Sequence, residues 1–269
     1  MTSNRETITS RKNPLVQRAR TVRDGKDEEL IFIEGVRLCE EAARAGLIIE
    51  NVFSVEHLKR DERGARLLEL LAQSGGHIHF VNESLLESIS DTKSPQGIIA
   101  LARRPLNGEI PFTRQAVAPL VVIMHRVNNP SNAGAMLRVA EAAGATAAIA
   151  THGSADLFSP KAIRGAMGSA FRLPLWTGAT LDEALLWCRA HGIGTVSTEA
   201  RAASLHTEID WTGARAVLVG PEAGGLTMDE ARSADEQVRI PMREPVESLN
   251  VAVALGVILY EAARQRAQV

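Results

Sequence analysis

The chain has little cysteine, no long apolar run and almost no net charge, at −2 over 269 residues. Its two cysteines, Cys39 and Cys188, stand far apart and offer neither a CxxC zinc pair nor a disulfide framework. No apolar stretch reaches the length of a membrane span. The basic residues near the amino terminus are not followed by the apolar segment of a signal peptide. We therefore expect a cytoplasmic protein with two idle thiols and no metal site.

Several common enzyme motifs are also missing from the sequence. GxGxxG does not occur between a predicted strand and helix, and Gly192-Ile193-Gly194 precedes a strand instead of following one. The chain also has no Walker A lysine motif, no HExxH and no GxSxG. These absences disfavour ordinary dinucleotide enzymes and P-loop NTPases.

Positive charge is concentrated at the amino terminus. Residues 1–23 contain six basic residues and one acid, Glu6. The basic residues are Arg5, Arg11, Lys12, Arg18, Arg20 and Arg23. Such a run is either a solvated tail or an arm that contacts the phosphates of a nucleic acid, and its charge alone leaves both interpretations open.

Hydrophobic periodicity predicts two αβ regions, residues 1–104 and 120–269, joined by a linker over 105–119 that is rich in proline. In the first region we predict helices over 13–20, 35–44 and 58–73 and strands over 30–33, 48–55, 77–81 and 97–101. In the second we predict strands over 120–124, 146–150, 194–197, 216–219 and 237–240 and helices over 132–143, 160–167, 181–190 and 248–264. This alternation predicts a mostly parallel sheet with helices on both faces and a ligand at the carboxyl ends of its strands.

The first of three polar clusters in the second region is Asn128–Arg138, directly after a predicted strand. Asn132 is expected to cap the following helix, and Gly134 permits close approach of the backbone. Arg138 could bind a phosphate or place positive charge on a neighbouring hydroxyl. Alternatively, it is an exposed helix residue paired with Glu141.

The other two clusters follow later strands. Gly220–Thr227 holds three glycines and one acid, Glu222, which has no evident structural need in a glycine-rich turn. Ser248 and Asn250 are placed on the first turn of the last predicted helix, where free N–H groups and the positive end of the helix dipole can hold a polar ligand. The alternative is a simple serine cap on a core helix.

In order and spacing, Asn132–Arg138, Gly220–Leu226 and Ile240–Val253 resemble the three catalytic motifs of the SpoU (TrmH-like) branch of the SPOUT RNA methyltransferases. Residues 159–164 and 172–174 resemble a family segment between the first two motifs. Residues 10–16 and 32–37 resemble the family's L30e-like substrate-binding domain. The sequence departs from the family pattern at Asp27-Glu28-Glu29, where further basic residues are common, and at His125-Arg126-Val127, where an acidic stretch is common.

The resemblance implies an α/β fold: a carboxyl-terminal trefoil-knot domain with a mostly parallel sheet and a smaller amino-terminal αβ domain. It implies a homodimer, packed partly through the last helix, that transfers a methyl group from S-adenosylmethionine to a ribose 2′-hydroxyl of RNA. The implied catalytic residues are Arg138, Asn132, Glu222, Ser248 and Asn250. The implied cofactor-binding residues are Gly220, Ile240, Leu249, Val219, Met242 and Thr198. The implied RNA-binding residues are Arg11, Lys12, Arg18, Lys26 and Arg164.

Within this resemblance the amino-terminal domain favours a ribosomal RNA substrate over a transfer RNA. Two competing hypotheses are a non-catalytic RNA- or ribosome-binding protein on the same scaffold and a small-molecule methyltransferase. A binding module has no need of the set formed by Arg138, Glu222, Ser248 and Asn250. A small-molecule enzyme would leave the basic amino-terminal run without a purpose.

Overall fold

The computed structural model describes residues 7–110 and 118–267. Arg5, Glu6 and the linker residues 111–117 therefore lie outside the described residues. The chain divides into two compact units: Met1–Pro105 with Phe158–Arg172, and Leu106–Leu157 with Leu173–Val269.

The first unit is built on a four-stranded sheet in the order β1-β4-β2-β3. Its strands are β1 (Leu30–Glu34), β2 (Ile49–Val55), β3 (His77–Val81) and β4 (Ile98–Arg103). β4 runs antiparallel to both β1 and β2, while β2 and β3 are parallel. The helices of this unit are α1 (Pro14–Arg23), α2 (Val36–Arg44), α3 (Glu62–Gln73), α4 (Glu83–Ile89), α6 (Pro160–Ala166) and α7 (Ser169–Arg172).

Two arginines of the basic run have structural partners. Arg20 donates from Nε to the Ser88 carbonyl at 3.2 Å and from Nη2 to Ser88 Oγ at 2.7 Å. Arg23 Nη1 donates to the Ile89 carbonyl at 3.1 Å. Because the last carbonyls of a helix lack partners within that helix, these bonds stabilise the carboxyl end of α4.

The second unit contains a seven-stranded sheet in the order β7-β6-β5-β10-β8-β11-β9, in which every pair of neighbours is parallel. Its strands are β5 (Leu120–Met124), β6 (Ala147–Thr151), β7 (Leu175–Ala179), β8 (Gly194–Thr198), β9 (Ser204–Leu205), β10 (Arg215–Val219) and β11 (Glu236–Arg239). Its helices are α5 (Pro130–Ala142), α8 (Leu181–Ala190), α9 (Met228–Arg232) and α10 (Val251–Arg266). The central strands are buried along almost their whole length, as expected of a parallel sheet covered on both faces.

The predicted α/β class and mostly parallel sheet are confirmed, and several boundaries are corrected. The helix predicted over 58–73 begins only at Glu62, because Asp61 caps it by accepting from the Gly64 N–H, and a 3₁₀ turn over Glu56–Arg60 precedes it. The prediction missed α4, α7, α9, β7 and β9, which are short elements of two to seven residues.

The two thiols lie in the cores of their units and are not disulfide-bonded. Burial raises the pKa of Cys188 to about 12 and raises the pKa of Cys39 as well. Because the thiolate is the reactive form, both side chains behave as small apolar core residues. Among the helices of residues 7–110 and 118–267, none is long and apolar enough to cross a bilayer.

Candidate functional site

The carboxyl ends of four adjacent strands form one edge of the second sheet. Because β5, β10, β8 and β11 are parallel neighbours, the residues that follow them lie side by side. Met124 pairs with Val219, and Thr198 pairs with Val238. The register therefore places the predicted cofactor residues Val219, Gly220, Thr198 and Ile240 along this edge.

The first polar cluster begins helix α5. Asn129, not Asn132, is the N-cap: its side chain accepts from the Ser131 N–H at 2.9 Å. Pro130 suits the first helical position because it has no N–H to satisfy. The prediction that Asn132 caps the helix is therefore wrong by three residues. Asn132 lies in the first turn, where its amide is available to other loops.

Glu222 joins the second cluster to the first. Its carboxylate accepts from the Asn129 N–H at 3.3 Å, the Asn128 N–H at 3.4 Å and the Asn132 side-chain amide at 3.1 Å. A carboxylate near the first N–H groups of a helix is also favoured by the helix dipole. Glu222 is solvent-exposed, yet it has the structural partners that its sequence context did not suggest.

Asn250 joins the third cluster to the first. It caps α10 by accepting from the Ala252 and Val253 N–H groups, and its own amide donates to Asn132 Oδ1 at 3.0 Å. The prediction that Ser248 lies on the first turn of the helix is wrong, because the helix begins at Val251. Ser248 is an exposed residue of the preceding loop.

Asn132 is thus the centre of a hydrogen-bonded triad with Glu222 and Asn250. Its amide donates to Glu222 and accepts from Asn250, which fixes the orientation of all three side chains. Asn132 is 90 residues from Glu222 and 118 residues from Asn250 in sequence, yet the three clusters meet at one point on the sheet edge. The meeting point can present both hydrogen-bond donors and a carboxylate to a polar substrate.

Arg138 is not part of this triad. It lies six residues beyond Asn132 on α5, about 9 Å along the helix axis and about 120° around it. The Arg138 side chain is exposed, and within residues 7–110 and 118–267 it forms no hydrogen bond or ion pair. The alternative prediction, that it pairs with Glu141, is therefore wrong. Gly256 of α10 packs against neighbouring Val139, so Arg138 lies beside the surface that α5 and α10 share.

Gly220 is required by close packing rather than by an unusual backbone angle. A Cβ at this position would lie 2.6 Å from the Leu226 nitrogen and 2.8 Å from the Gly225 carbonyl carbon. Three apolar side chains near the same edge are partly exposed: Ile240, Met242 and Leu249, the last with 37% of its surface accessible. Partly exposed apolar groups beside glycine-rich loops suit a ligand with a flat aromatic part.

A polar cluster around His125 was not predicted. Buried His125, directly after β5, pairs through Nδ1 with Thr151 Oγ1 at 3.0 Å and through Nε2 with Glu230 Oε1 at 3.1 Å. Burial raises the pKa of Glu230, but hydrogen bonds from the Thr227 N–H and from His125 more than offset this, so the pKa is lowered. The charged carboxylate ties α9 to the ends of β5 and β6. The sequence feature that could have predicted this cluster is the polar pair His125-Arg126, which directly follows an apolar strand.

The five predicted RNA-binding residues all lie in the first unit. Arg11 and Lys12 precede α1, Lys26 follows it, and all three are exposed. Arg18 lies 3.8 Å from both Asp27 and Glu50, a separation at which surface ion pairs contribute little. Arg164 is about one-third exposed, with Nη1 2.7 Å from Asp91 Oδ2. Within the described parts of both units, no group of three His, Cys, Asp or Glu side chains could hold a metal ion.

Comparison with known proteins finds two family profiles along the chain. Residues 119–260 match the SpoU rRNA methylase family. Residues 32–107 match the substrate-binding domain of RNA 2′-O ribose methyltransferases.

Individual relatives match most of the chain. The 23S rRNA (guanosine-2′-O-)-methyltransferase RlmB of Burkholderia sp. is 35% identical over 77% of this chain and 85% of that protein. The 23S rRNA guanosine 2′-O-methyltransferase RlmP of Bacillus subtilis is 29% identical over 94% of this chain and 97% of its own. The crystal structure of an AdoMet-bound rRNA methyltransferase from Sinorhizobium meliloti is 28% identical and matches with a TM-score of 0.81 over 96% of this chain and 97% of that one.

Proposed function

The chain belongs to the SpoU rRNA methylase family, and from this premise we propose that the sheet edge around the Asn132 triad is its active site. The chain is an S-adenosylmethionine-dependent enzyme that methylates a ribose 2′-hydroxyl of ribosomal RNA. The observation that carries the proposed site is the hydrogen-bonded meeting of Asn132, Glu222 and Asn250 at the carboxyl ends of parallel strands.

The cofactor is assigned to the loops that follow β10, β8 and β11. Gly220, Thr198 and Ile240 bring three backbone segments to one place, with Val219 supporting them from the end of β10. Met242 and Leu249 add apolar surface that solvent reaches. The fit supports a molecule with both a flat apolar part and groups that hydrogen-bond to backbone. When bound, S-adenosylmethionine supplies an electrophilic methyl group on a sulfonium.

The side chains of this protein have to orient the ribose and stabilise its 2′-oxygen while the hydroxyl proton passes to solvent water, which reaches this exposed edge. Arg138 is assigned to the ribose oxygen and its flanking phosphate. An arginine side chain stays protonated, so it stabilises the developing negative charge on the oxygen rather than accepting the proton. The triad, with Ser248 from the adjacent loop, fixes the ribose relative to the methyl donor, and such positioning can supply much of the acceleration of a bimolecular transfer.

We assign Arg138 to the active site of a second copy in a homodimer. Within one chain Arg138 lies about 120° around α5 from Asn132, so it does not face its own triad. α10 carries a stripe of exposed apolar residues at helical spacing: Val253, Val257 and Tyr260, with 54%, 36% and 57% of their surfaces accessible. An exposed stripe of this kind, on a helix that packs against α5, supports a symmetric interface that buries the stripe and brings each arginine to the partner's edge.

The path of the chain supports a trefoil knot in the second unit. β11 lies beyond β8 on one side of β10, whereas α10 packs against α5 and β10. The segment 240–250 therefore crosses back over the ends of β8 and β10, where the loop 220–227 also lies.

A cytoplasmic location fits an enzyme that meets ribosomal RNA.

Arg11, Lys12, Arg18, Lys26 and Arg164 are proposed as contacts for RNA phosphates on the first unit. Arg11 and Lys12 are the best supported of them, because they are exposed and lie next to each other before α1. Arg20 and Arg23 are not included, because they hold α4.

Replacing Arg11 and Lys12 by glutamine should weaken RNA binding and lower the slope of log Kd against log salt by about 1.5, since each lost phosphate contact contributes about 0.7–0.9. Fluorescence anisotropy with ribosomal RNA fragments at several salt concentrations measures both quantities. The matched control is the exposed pair Arg60→Gln and Arg66→Gln on the same unit. An unchanged slope counts against the assignment. Point substitutions are preferable to truncation, because α1 buries Val16, Ala19 and Val22.

The function itself is tested by mapping ribose methylation across total RNA from cells that contain or lack the protein. We expect one or a few 2′-O-methyl groups to disappear from ribosomal RNA and to return when purified protein and S-adenosylmethionine are added. Loss of methyl groups from transfer RNA alone would identify transfer RNA, and not ribosomal RNA, as the substrate. No change in any RNA, together with no cofactor binding by calorimetry, would identify a non-catalytic binding protein instead.

A further inference from the structure

We propose that a groove next to the Asn132 triad binds a phosphate of the substrate RNA, adjacent to the methylated ribose, through Arg126. The inference rests on the proposed function and adds a substrate contact to it. The groove has a volume of about 480 Å³ and lies in the second unit. Its lining residues are Arg126, Asn128, Gly153, Pro221, Ala223, Gly224, Gly225, Leu226 and Thr227.

Arg126 is held in an unusual backbone conformation. Its φ is +51°, in the left-handed region that residues other than glycine seldom adopt. Such a conformation persists only where its surroundings impose it, and it is common at functional sites. Here Arg126 directly follows buried His125, which the bonds to Thr151 and Glu230 fix in place.

The Arg126 side chain is also fixed. Its Cγ lies only 3.4 Å from where a Cβ on Gly153 would be, so the stem runs closely over that glycine. Its Nη2 donates to Glu230 Oε1. With 45% of the side chain accessible, the guanidinium is therefore presented to solvent in one orientation rather than as a freely moving surface charge.

The remaining donors of Arg126 are available to a ligand. Its Nε and Nη1 form no hydrogen bond within residues 7–110 and 118–267. Across the groove, Gly224 and Gly225 would have no atom within 4 Å of an added Cβ, so their backbone faces open space. Nη2 carries a second hydrogen beside either of them, so the guanidinium can still offer two parallel N–H donors to a phosphodiester, and the open backbone opposite leaves room for the sugars of the RNA.

The position of the groove makes RNA the occupant that we favour. Asn128 lines the groove, and its N–H donates to Glu222 of the triad. A phosphate on Arg126 would therefore border the place assigned to the target ribose. The loop after β10 borders both sites: Gly220 at its start is assigned to the cofactor, whereas the residues from Pro221 onward line the groove. The other residues assigned to the cofactor, Thr198, Ile240 and Leu249, do not line it.

Arg126→Asn tests the proposal, because asparagine tolerates the left-handed conformation while removing the cation. We expect KM for RNA to rise about tenfold and the salt slope of RNA binding to fall by about 0.7–0.9, the value of one phosphate contact. The affinity for S-adenosylmethionine, measured by calorimetry, should stay unchanged. Arg126→Lys should retain the salt slope but bind more weakly than the native chain, since lysine offers a point charge without the fork.

Arg189→Asn is the matched control. Arg189 is an exposed arginine in the last turn of α8, near the amino-terminal ends of the strands and thus opposite the groove. A second variant avoids the buried cluster altogether: Ala223→Glu places a negative charge on the exposed wall of the groove, and Ala223→Gln is its neutral counterpart. Only the glutamate should weaken RNA binding, by about tenfold, through repulsion of the phosphate.

The proposal is overturned if Arg126→Asn and Ala223→Glu leave both KM for RNA and the salt slope at native values. Methylation would then continue, so the proposed function would stand. A loss of cofactor affinity in Arg126→Asn with native RNA binding would also overturn it, by assigning the groove to the methyl donor. A chain that binds RNA normally but transfers no methyl group at all would contradict the proposed function instead.

Discussion

Arg138→Ala should lower kcat for ribose methylation by about 10²–10³-fold, the usual cost of removing a donor that stabilises a developing oxyanion. Because Arg138 is exposed and no described residue pairs with it, the free energy of unfolding should change by no more than about 0.5 kcal/mol. The affinity for S-adenosylmethionine should also be retained. Single-turnover transfer to RNA, calorimetry with the cofactor and chemical denaturation measure the three quantities. Arg189→Ala is the matched control, and native turnover by Arg138→Ala would reject the assigned role.

A mixed dimer decides in which subunit Arg138 acts. Chains carrying Arg138→Ala and chains carrying Glu222→Gln are co-expressed with different affinity tags, and the mixed species is isolated through both tags. If each arginine serves the other subunit, the mixed dimer has one intact site and about half the native activity, because both substitutions fall in the same second site. If Arg138 serves its own chain, both sites are damaged and activity stays at the level of the single variants. Failure to capture any mixed species would contradict the homodimer itself.

Gly220→Ala should lower the affinity for S-adenosylmethionine at least tenfold, which corresponds to about 1.4 kcal/mol of binding free energy. The added Cβ would lie 2.6 Å and 2.8 Å from backbone atoms of Leu226 and Gly225. Backbone cannot yield as a flexible side chain does, so the loop 220–226 has to move away from the sheet edge. Forced overpacking of this kind also costs about 1–3 kcal/mol of stability.

Gly213→Ala provides the control for this substitution. Gly213 lies in the same unit, and a Cβ there would meet no atom within 4 Å. We expect native cofactor affinity and a change in stability within about 0.5 kcal/mol. Calorimetry with S-adenosylmethionine compares the two variants directly. If Gly220→Ala binds the cofactor as the native chain does, the loop after β10 is not its binding site.

The sheet and the meeting of the three clusters could be predicted because both follow from local patterns. Alternating apolar strands and helices predict a parallel sheet, and in such a sheet the residues after each strand share an edge. The sequence pattern therefore predicts that Asn132, Glu222 and Asn250 lie near one another. The resemblance to the three SpoU motifs assigns the same three loops to one site.

The errors arise where neighbouring residues compete for one role. Asn129 and Asn132 can both cap a helix, and the choice depends on Pro130, which favours the first helical position. Ser248 and Asn250 compete in the same way at α10, and the structure selects Asn250. Arg20 and Arg23 belong to a charged run whose partners lie about 65 residues away, so no local pattern distinguishes them from Arg11 and Lys12.

The arrangement around Asn132 restricts the sequences that this fold can use at its active edge. One amide donates to Glu222 and accepts from Asn250, and no other side chain of the same length has a donor and an acceptor at its end. Aspartate would place a second negative charge against Glu222, and leucine would leave both neighbours without their bonds. Descendants of this chain can therefore alter position 132 only if positions 222 and 250 change with it, so the three positions should be inherited as a unit.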